Sequence, residues 1–308
     1  MTKTLTELSC ILLGRFQNTH GRPVAGRLRP PENLDEEISE LRDLTAGGLS
    51  ESASGTKFIE FSSKGRRCVA LAIGLTDEEK DSIENESQGS VKPIDISGAI
   101  YMYLANRLDL HATNFNAQWV EEYIEGPASD GIGVDLSVIR EALERVSTFT
   151  YDESTQDTSL SGKYIANYIC TFSSGLAAGN SLTNKSREMI RELFLEEKLY
   201  IFERNLFTAM KTPLAAHAFL EIYRMLEFAF VLPRVVALVG RVQSSGSSIN
   251  IHVIELARHC YRELGWKRVE RDSIGRLFDE YAIANYGAFQ MLPGSCAPFS
   301  GPSLRLVG

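Results

Sequence analysis

Residues Thr56 to Leu75 read TKFIEFSSKGRRCVALAIGL. The first six alternate apolar and polar side chains and are rich in strand-favouring residues. Ser62-Ser-Lys-Gly65 then supplies a turn, and Arg66 to Leu75 resumes with a cysteine, a valine and aliphatic residues. Two such runs across a short glycine-containing turn predict a β-hairpin, which places strands in the first third of the chain. Working outward, SCILLGRF (Ser9 to Phe16) is a further strand candidate, and AIYMYLANRL (Ala99 to Leu108) fits either a strand or a helix on periodicity. The polar stretches between them read differently. TAGGLSESASG (Thr45 to Gly55) is a flexible loop by composition, and TDEEKDSIENESQGS (Thr76 to Ser90) opens as a short acidic helix.

The pattern changes near residue 135. Asp135 suits the N-cap of LSVIREALERV, an amphipathic helix. TYDESTQDTSLSG (Thr150 to Gly162) is soft and polar, the best linker candidate, and from Lys163 the periodicity is helical. Ser186 to Lys211 predicts one long helix ending before Pro213, and HAFLEIYRMLEFAF (His217 to Phe230) the next, kinked or ended by Pro233. Ile249 to Trp266 and about Ser273 to Ala284 predict two more. The expected fold class is therefore α+β, a strand-containing N-terminal part followed by a mainly α-helical C-terminal part. The expected boundaries are a mixed region at 1–149, a linker at 150–162, a helical domain at 163–290 and a loose tail at 291–308.

With 308 residues, 44% apolar and 23% charged, the chain has the composition of a globular protein able to bury a core without disulfides or metals. Its net charge of −8 argues against a protein that coats nucleic acid over its whole surface, while leaving room for a local basic patch. Five widely spaced cysteines form no CxxC pair, which points to reduced thiols and away from a zinc ribbon. The opening MTKTLTELSCILLGRF lacks a signal-peptide pattern. Phe228 to Gly240 is too short to span a bilayer and is interrupted by Pro233 and Arg234. The expectation is a cytoplasmic protein with no membrane partner.

Familiar chemistry-bearing motifs are missing. There is no P-loop, G-x-S-x-G, H-E-x-x-H or EF-hand pattern, and Asp130-Gly-Ile-Gly-Val-Asp135 lacks the third glycine of a dinucleotide fingerprint. Glu196-Glu-Lys198 has a nuclease-like E-x-K spacing but falls in a helical pattern, and Gly175 and Gly179 suit close helix packing. No cofactor and no metal is expected.

Candidate sites come from charge and spacing. On a wheel of about 100° per residue, Ala218, Phe219, Ile222, Tyr223, Met225, Leu226, Ala229 and Phe230 share a broad apolar arc that reads as a core face. His217, Glu221, Arg224 and Glu227 fall on the other side, as an intrahelical charge network or a polar stripe for a partner protein. Trp266 is a candidate docking anchor beside Lys267 and Arg268. Arg22, Arg27 and Arg29 lie in a run without acids from Leu8 to Pro31, directly before the acidic residues Glu32, Asp35, Glu36, Glu37 and Glu40, which can neutralise it. With Lys267, Arg268 and Arg271 they are the candidate phosphate contacts, against the alternative of solvated helix faces.

Arg15-Phe-Gln-Asn-Thr-His20 is an R-x4-H pattern. Together with the YRMLEFAF helix it resembles HEPN-like helical proteins of bacterial conflict and defence systems. In HEPN ribonucleases such a pair lines an RNA-cleaving site formed across a dimer. The resemblance implies a histidine that moves a proton and an arginine that holds a phosphate, here His20 and Arg15. The pattern departs from the family in lying near the N-terminus, beside Gly14, Gly21 and Pro23, rather than in the helical domain.

Two functions follow. The first is a non-enzymatic interaction subunit of a cytoplasmic multi-protein assembly, with antiviral defence as the context the resemblance implies. Another protein subunit is its partner, a homodimer being one form of that. The alternative is a HEPN-like ribonuclease or other nucleic-acid-binding effector. The lack of a catalytic motif and the overall acidity favour the first.

Overall fold

A computed structural model describes residues 4–113, 115–151, 161–173, 182–195, 202–229, 235–240 and 256–257. The hairpin is present as expected. β2 (Lys57–Ser63) and β3 (Arg66–Leu71) pair antiparallel, with Ser63 opposite Arg66. Only Lys64 and Gly65 lie between them, with φ of 52° and 73°. Positive φ at both central residues lets a two-residue loop follow the right-handed twist of the strands. β1 (Thr45–Glu51) adds to β2, β5 (Ser147–Tyr151) to β3, and β4 (Val91–Pro93) to β5. The result is a five-stranded antiparallel sheet of order β1-β2-β3-β5-β4. The strands lie in the N-terminal half and helices dominate afterwards, so the fold class is α+β.

Register decides the two faces. Ile59 and Phe61 of β2 stand opposite Ala70 and Cys68 of β3, and these four join one buried cluster. That cluster is completed by Leu8, Leu12 and Leu13 of α1 (Leu5–Leu13) and by Ile100, Leu104 and Ala105 of α4 (Gly98–Arg107). α2 (Leu34–Asp43) lies against α4, and Glu37 Oε2 accepts the Ala99 N–H at 2.8 Å, so a carboxylate from one helix caps the first turn of the other. The opposite face carries Phe58, Val69, Leu71, Phe149 and Tyr151, all buried. α8 (Gly162–Cys170) lies against it, on β2 and β3, with Ile165, Tyr168 and Ile169 buried.

The helices after α8 extend this layer. α9 (Asn184–Leu195) lies along α8, and Arg191 joins the two by standing 3.8 Å over the Phe172 ring and pairing with Glu86 at 2.6 Å. Glu86 ends α3 (Asp77–Glu86). Phe194 of α9 and Phe207 of α10 (Glu203–Lys211) meet at 5.3 Å, and Lys163 of α8 reaches the buried Glu203 at 2.7 Å. The chain divides by compactness into residues 1–221 and 222–308, with α11 (Ala215–Ala229) crossing the division. The sequence suggested a linker at 150–162. In the structure Thr150 and Tyr151 finish β5, Gly162 opens α8, and α8 packs on β2 and β3; residues 152–160 of that stretch lie outside the described residues.

Three local expectations are corrected. Ser9 to Phe16 is not a strand: α1 spans Leu5–Leu13, started by a capping box in which Thr4 and Glu7 exchange backbone-to-side-chain hydrogen bonds of 2.9 and 3.3 Å. Thr45 to Gly55 is not simply a loop, since its first seven residues form edge strand β1, exposed along nearly its whole length. Ser186 to Lys211 is not one helix. α9 and α10 are separate, and Phe202, with φ −109° and ψ 4°, stands outside helical geometry as the N-cap of α10. Ala99 to Leu108 resolves as helix and Asp77–Glu86 is a helix as read, while α7, capped by Asp135, spans only Leu136–Ala142 of the helix expected from Leu136 to Val146. Gly175, Gly179, Glu196 to Lys198, Pro233, most of Ile249 to Trp266, the helix expected at 273–284 and the tail lie outside the described residues.

Candidate functional site

A cleft of about 860 Å³ opens at the β4 side of the sheet. Its floor is held by the start of β5. The Ile94 N–H donates to the Thr148 carbonyl at 3.0 Å, the Thr148 hydroxyl donates to the Ile94 carbonyl at 2.6 Å, and the Ser147 hydroxyl to the Ile73 carbonyl at 2.9 Å. These bonds tie the segments after β3 and after β4 to the same strand. α3 lines it with Asp77, Lys80 and Asp81, and Tyr101 of α4, Arg140 of α7 and Arg145 just before β5 line it as well. Asp95 stands on the rim after β4.

The arginine pair is set by packing rather than by ion pairs. The Arg140 guanidinium stands 4.4 Å over the Tyr101 ring, a cation–π arrangement. Its Nε is buried and has no hydrogen-bond acceptor. The Arg145 stem lies along Gly74, where a Cβ would come within 2.9 Å of Arg145 Cδ. Neither arginine makes an ion pair or hydrogen bond with the described residues. The Tyr101 phenol is pushed up to about 12 by burial, so at neutral pH it adds no negative charge beside Arg140. Two guanidinium groups without an ion-pair partner among the described residues suit an anion, because each presents a planar fork of N–H donors that matches carboxylate or phosphate oxygens.

The sequence-derived candidates fall elsewhere. Arg15 is mostly buried, donates to the Leu110 and Asn106 carbonyls, and sits 3.4 Å from Asp109; burial holds its pKa below the usual arginine value. A smaller recess of about 420 Å³ there is lined by Arg15, Asp109 and His111, without His20. His20 is exposed in a turn whose N–H groups at His20 and Arg22 both donate to Asn18 Oδ1 at 3.0 Å. Arg22 is exposed, Arg27 donates to the Gly131 carbonyl at 2.7 Å, and Arg29 lies 3.8 Å from Asp135. The neighbouring acids act elsewhere as well: Glu37 caps α4, and Glu40 pairs with Lys64 at 2.6 Å.

On α11, His217 and Arg224 are exposed, whereas Glu221 is half-buried and accepts from Asn205 of α10 at 2.8 Å. That tie turns the Ala218–Glu221 side inward. Ala218 is 2% exposed, while Phe219 and Leu226 of the supposed core arc are 63% and 43% exposed. Glu227 is half-buried. Trp266, Lys267, Arg268 and Arg271 lie outside the described residues. Among the described residues, no group of three or more His, Cys, Asp or Glu side chains could hold a metal ion. Among them also, no helix is long and apolar enough to cross a membrane.

Sequence reading missed the cleft for a geometric reason. Arg140 and Arg145 both belong to the stretch read as one amphipathic helix, where five residues would set them about 140° apart. The helix ends at Ala142, and Leu143 is extended with φ −95° and ψ 161°. That change of direction brings both arginines to one cleft. No family model, no curated protein and no solved structure matches the chain.

Proposed function

We propose that this chain is a binding protein whose cleft at the β4 side of the sheet receives an anionic group, a phosphate or a carboxylate. The single observation that carries the reading is the pair Arg140 and Arg145, which line one cleft of about 860 Å³, Arg140 over the Tyr101 ring and the Arg145 stem along Gly74, neither in an ion pair among the described residues. A buried guanidinium nitrogen without an acceptor costs free energy that an incoming oxygen can return. The test is isothermal titration calorimetry at low ionic strength with inorganic phosphate and, separately, acetate. The expected result is saturable binding of at least one, weakened about tenfold or more in both Arg140→Gln and Arg145→Gln, as loss of a charge-assisted hydrogen bond of about 1.5–3 kcal/mol implies. Binding equal in wild type and both variants, or no binding, overturns the reading.

A second reading, the interaction subunit of a multi-protein assembly, is favoured by one observation at the start of α11. Leu214, Phe219 and Leu220 are 56%, 63% and 49% exposed beside the exposed His217. Large apolar side chains grouped in this way suit a protein partner. A defined partner retained by the wild-type chain and released by Phe219→Asp supports it; identical retention by both removes it.

A further inference from the structure

The cleft carries charge of both signs, and the two signs do not meet. Lys80 is satisfied locally by Asp77 at 3.0 Å, one turn along α3. That leaves Arg140, Arg145, Asp81 and Asp95 lining the same cleft. Among the described residues none of these four makes an ion pair, although arginine is long and flexible enough to cross a narrow gap. Arg140 stands instead over the Tyr101 ring at 4.4 Å, and the stem of the exposed Arg145 runs along Gly74. Asp81 is carried by a helix and Asp95 by the segment anchored to Thr148 through Ile94, so neither acid is free to travel toward the arginines. The cleft is also lined by neutral groups, Ser147 and Thr148, whose hydroxyls already donate to backbone carbonyls and keep lone pairs for a ligand.

From this arrangement we infer that the ligand is a small molecule of both charges, with a phosphate or carboxylate on Arg140 and Arg145 and a protonated amine toward Asp81 and Asp95. The inference rests on the anion-binding reading of the cleft and names the ligand class for it. A simple anion satisfies the arginines but meets repulsion from the two carboxylates. A ligand that adds a cation converts that repulsion into attraction, so the acidic pair acts as a selectivity element.

Two matched probe pairs separate the ideas, measured by calorimetry on the full chain. O-Phosphoethanolamine is compared with ethyl phosphate, and β-alanine with propionate; the members of each pair differ in the amine. The better-binding pair identifies the anion as phosphate or carboxylate. The amine is expected to tighten binding roughly three- to tenfold, in line with one or two partly screened ion pairs. The Asp81→Asn/Asp95→Asn double variant should lose that advantage while binding the amine-free probe as well as or better than wild type. Both acids are exposed and unpaired among the described residues, so the double variant is expected to fold, and circular dichroism checks it. Equal binding of both members of a pair to wild type overturns the dual-charge inference and leaves the anion site standing. Failure of all four probes to bind removes the anion site itself.

Discussion

Replacing Gly162 by alanine tests whether the helical half starts on the sheet. Gly162 opens α8, and a Cβ added there would overlap Cγ and Cδ of Glu60. Glu60 is a flexible residue, but its carboxylate is held by the Tyr151 hydroxyl at 3.4 Å and faces Arg67 at 3.8 Å. Arg67 is itself set over the Tyr151 ring at 5.1 Å, so moving Glu60 disturbs all three groups. Overpacking of this kind costs about 1–3 kcal/mol, offset by up to about 1 kcal/mol from replacing a helical glycine with alanine. The net expectation for Gly162→Ala is a loss of about 1–2 kcal/mol. In a Glu60→Ala background the obstruction is gone and the same substitution should be neutral or stabilising by up to about 1 kcal/mol, a coupling of about 2 kcal/mol across the cycle. Urea denaturation followed by tryptophan fluorescence reads this out in a Trp266→Phe background, which leaves Trp119 as the single tryptophan of the chain. Equal effects of Gly162→Ala with and without Glu60 would refute the placement of α8 on β2.

Other expectations follow from single contacts. Arg15→Ala should destabilise by about 2 kcal/mol because charge-assisted bonds to the Leu110 and Asn106 carbonyls are lost, whereas His20→Ala at an exposed turn should stay within about 0.5 kcal/mol; thermal denaturation compares them. Asp135→Ala removes the side chain that caps the Ser137 N–H at 2.9 Å and should cost about 1 kcal/mol in urea. The hydrogen bond from Lys64 holds the Glu40 carboxyl below its usual 4.5, so that pairing contributes above pH 4.5 and its contribution is lost as pH falls through the lower folded value. Lys64→Met should therefore make stability less dependent on pH in that acid range, and should return the Glu40 carboxyl toward 4.5 in an NMR titration.

Of the five strands, β2 and β3 were legible because their hairpin is local, with a two-residue turn and a compatible second run all within twenty residues, while β4 and β5 were not read as strands. α1 was misread although its start is written in the sequence. Thr4 and Glu7 are a capping signature, but the cluster Ile11, Leu12 and Leu13 dominated a reading based on periodicity. β1 was missed because an exposed edge strand containing Gly47 and Gly48 has no apolar face to report itself, and its pairing is fixed by β2. The division between α9 and α10 carries no proline or glycine, so tertiary packing of Phe194 on Phe207 is what marks it. On α11 the wheel found the apolar arc but not its direction, since the bond from Asn205 to Glu221 decides which side turns inward. The cleft was the least legible feature. Asp81, Asp95, Tyr101, Arg140 and Arg145 come from separate turns of the chain, and no local spacing joins them.

The most direct test of the anion site is an NMR spectrum of the arginine Nε–H groups during titration with inorganic phosphate or acetate, with assignments from Arg140→Lys and Arg145→Lys. The account predicts that the Arg140 and Arg145 signals shift together and saturate with one of these anions, ahead of arginines outside the cleft such as Arg22. Uniform drift of all arginine signals, or saturation at other arginines while these two stay still, would contradict it.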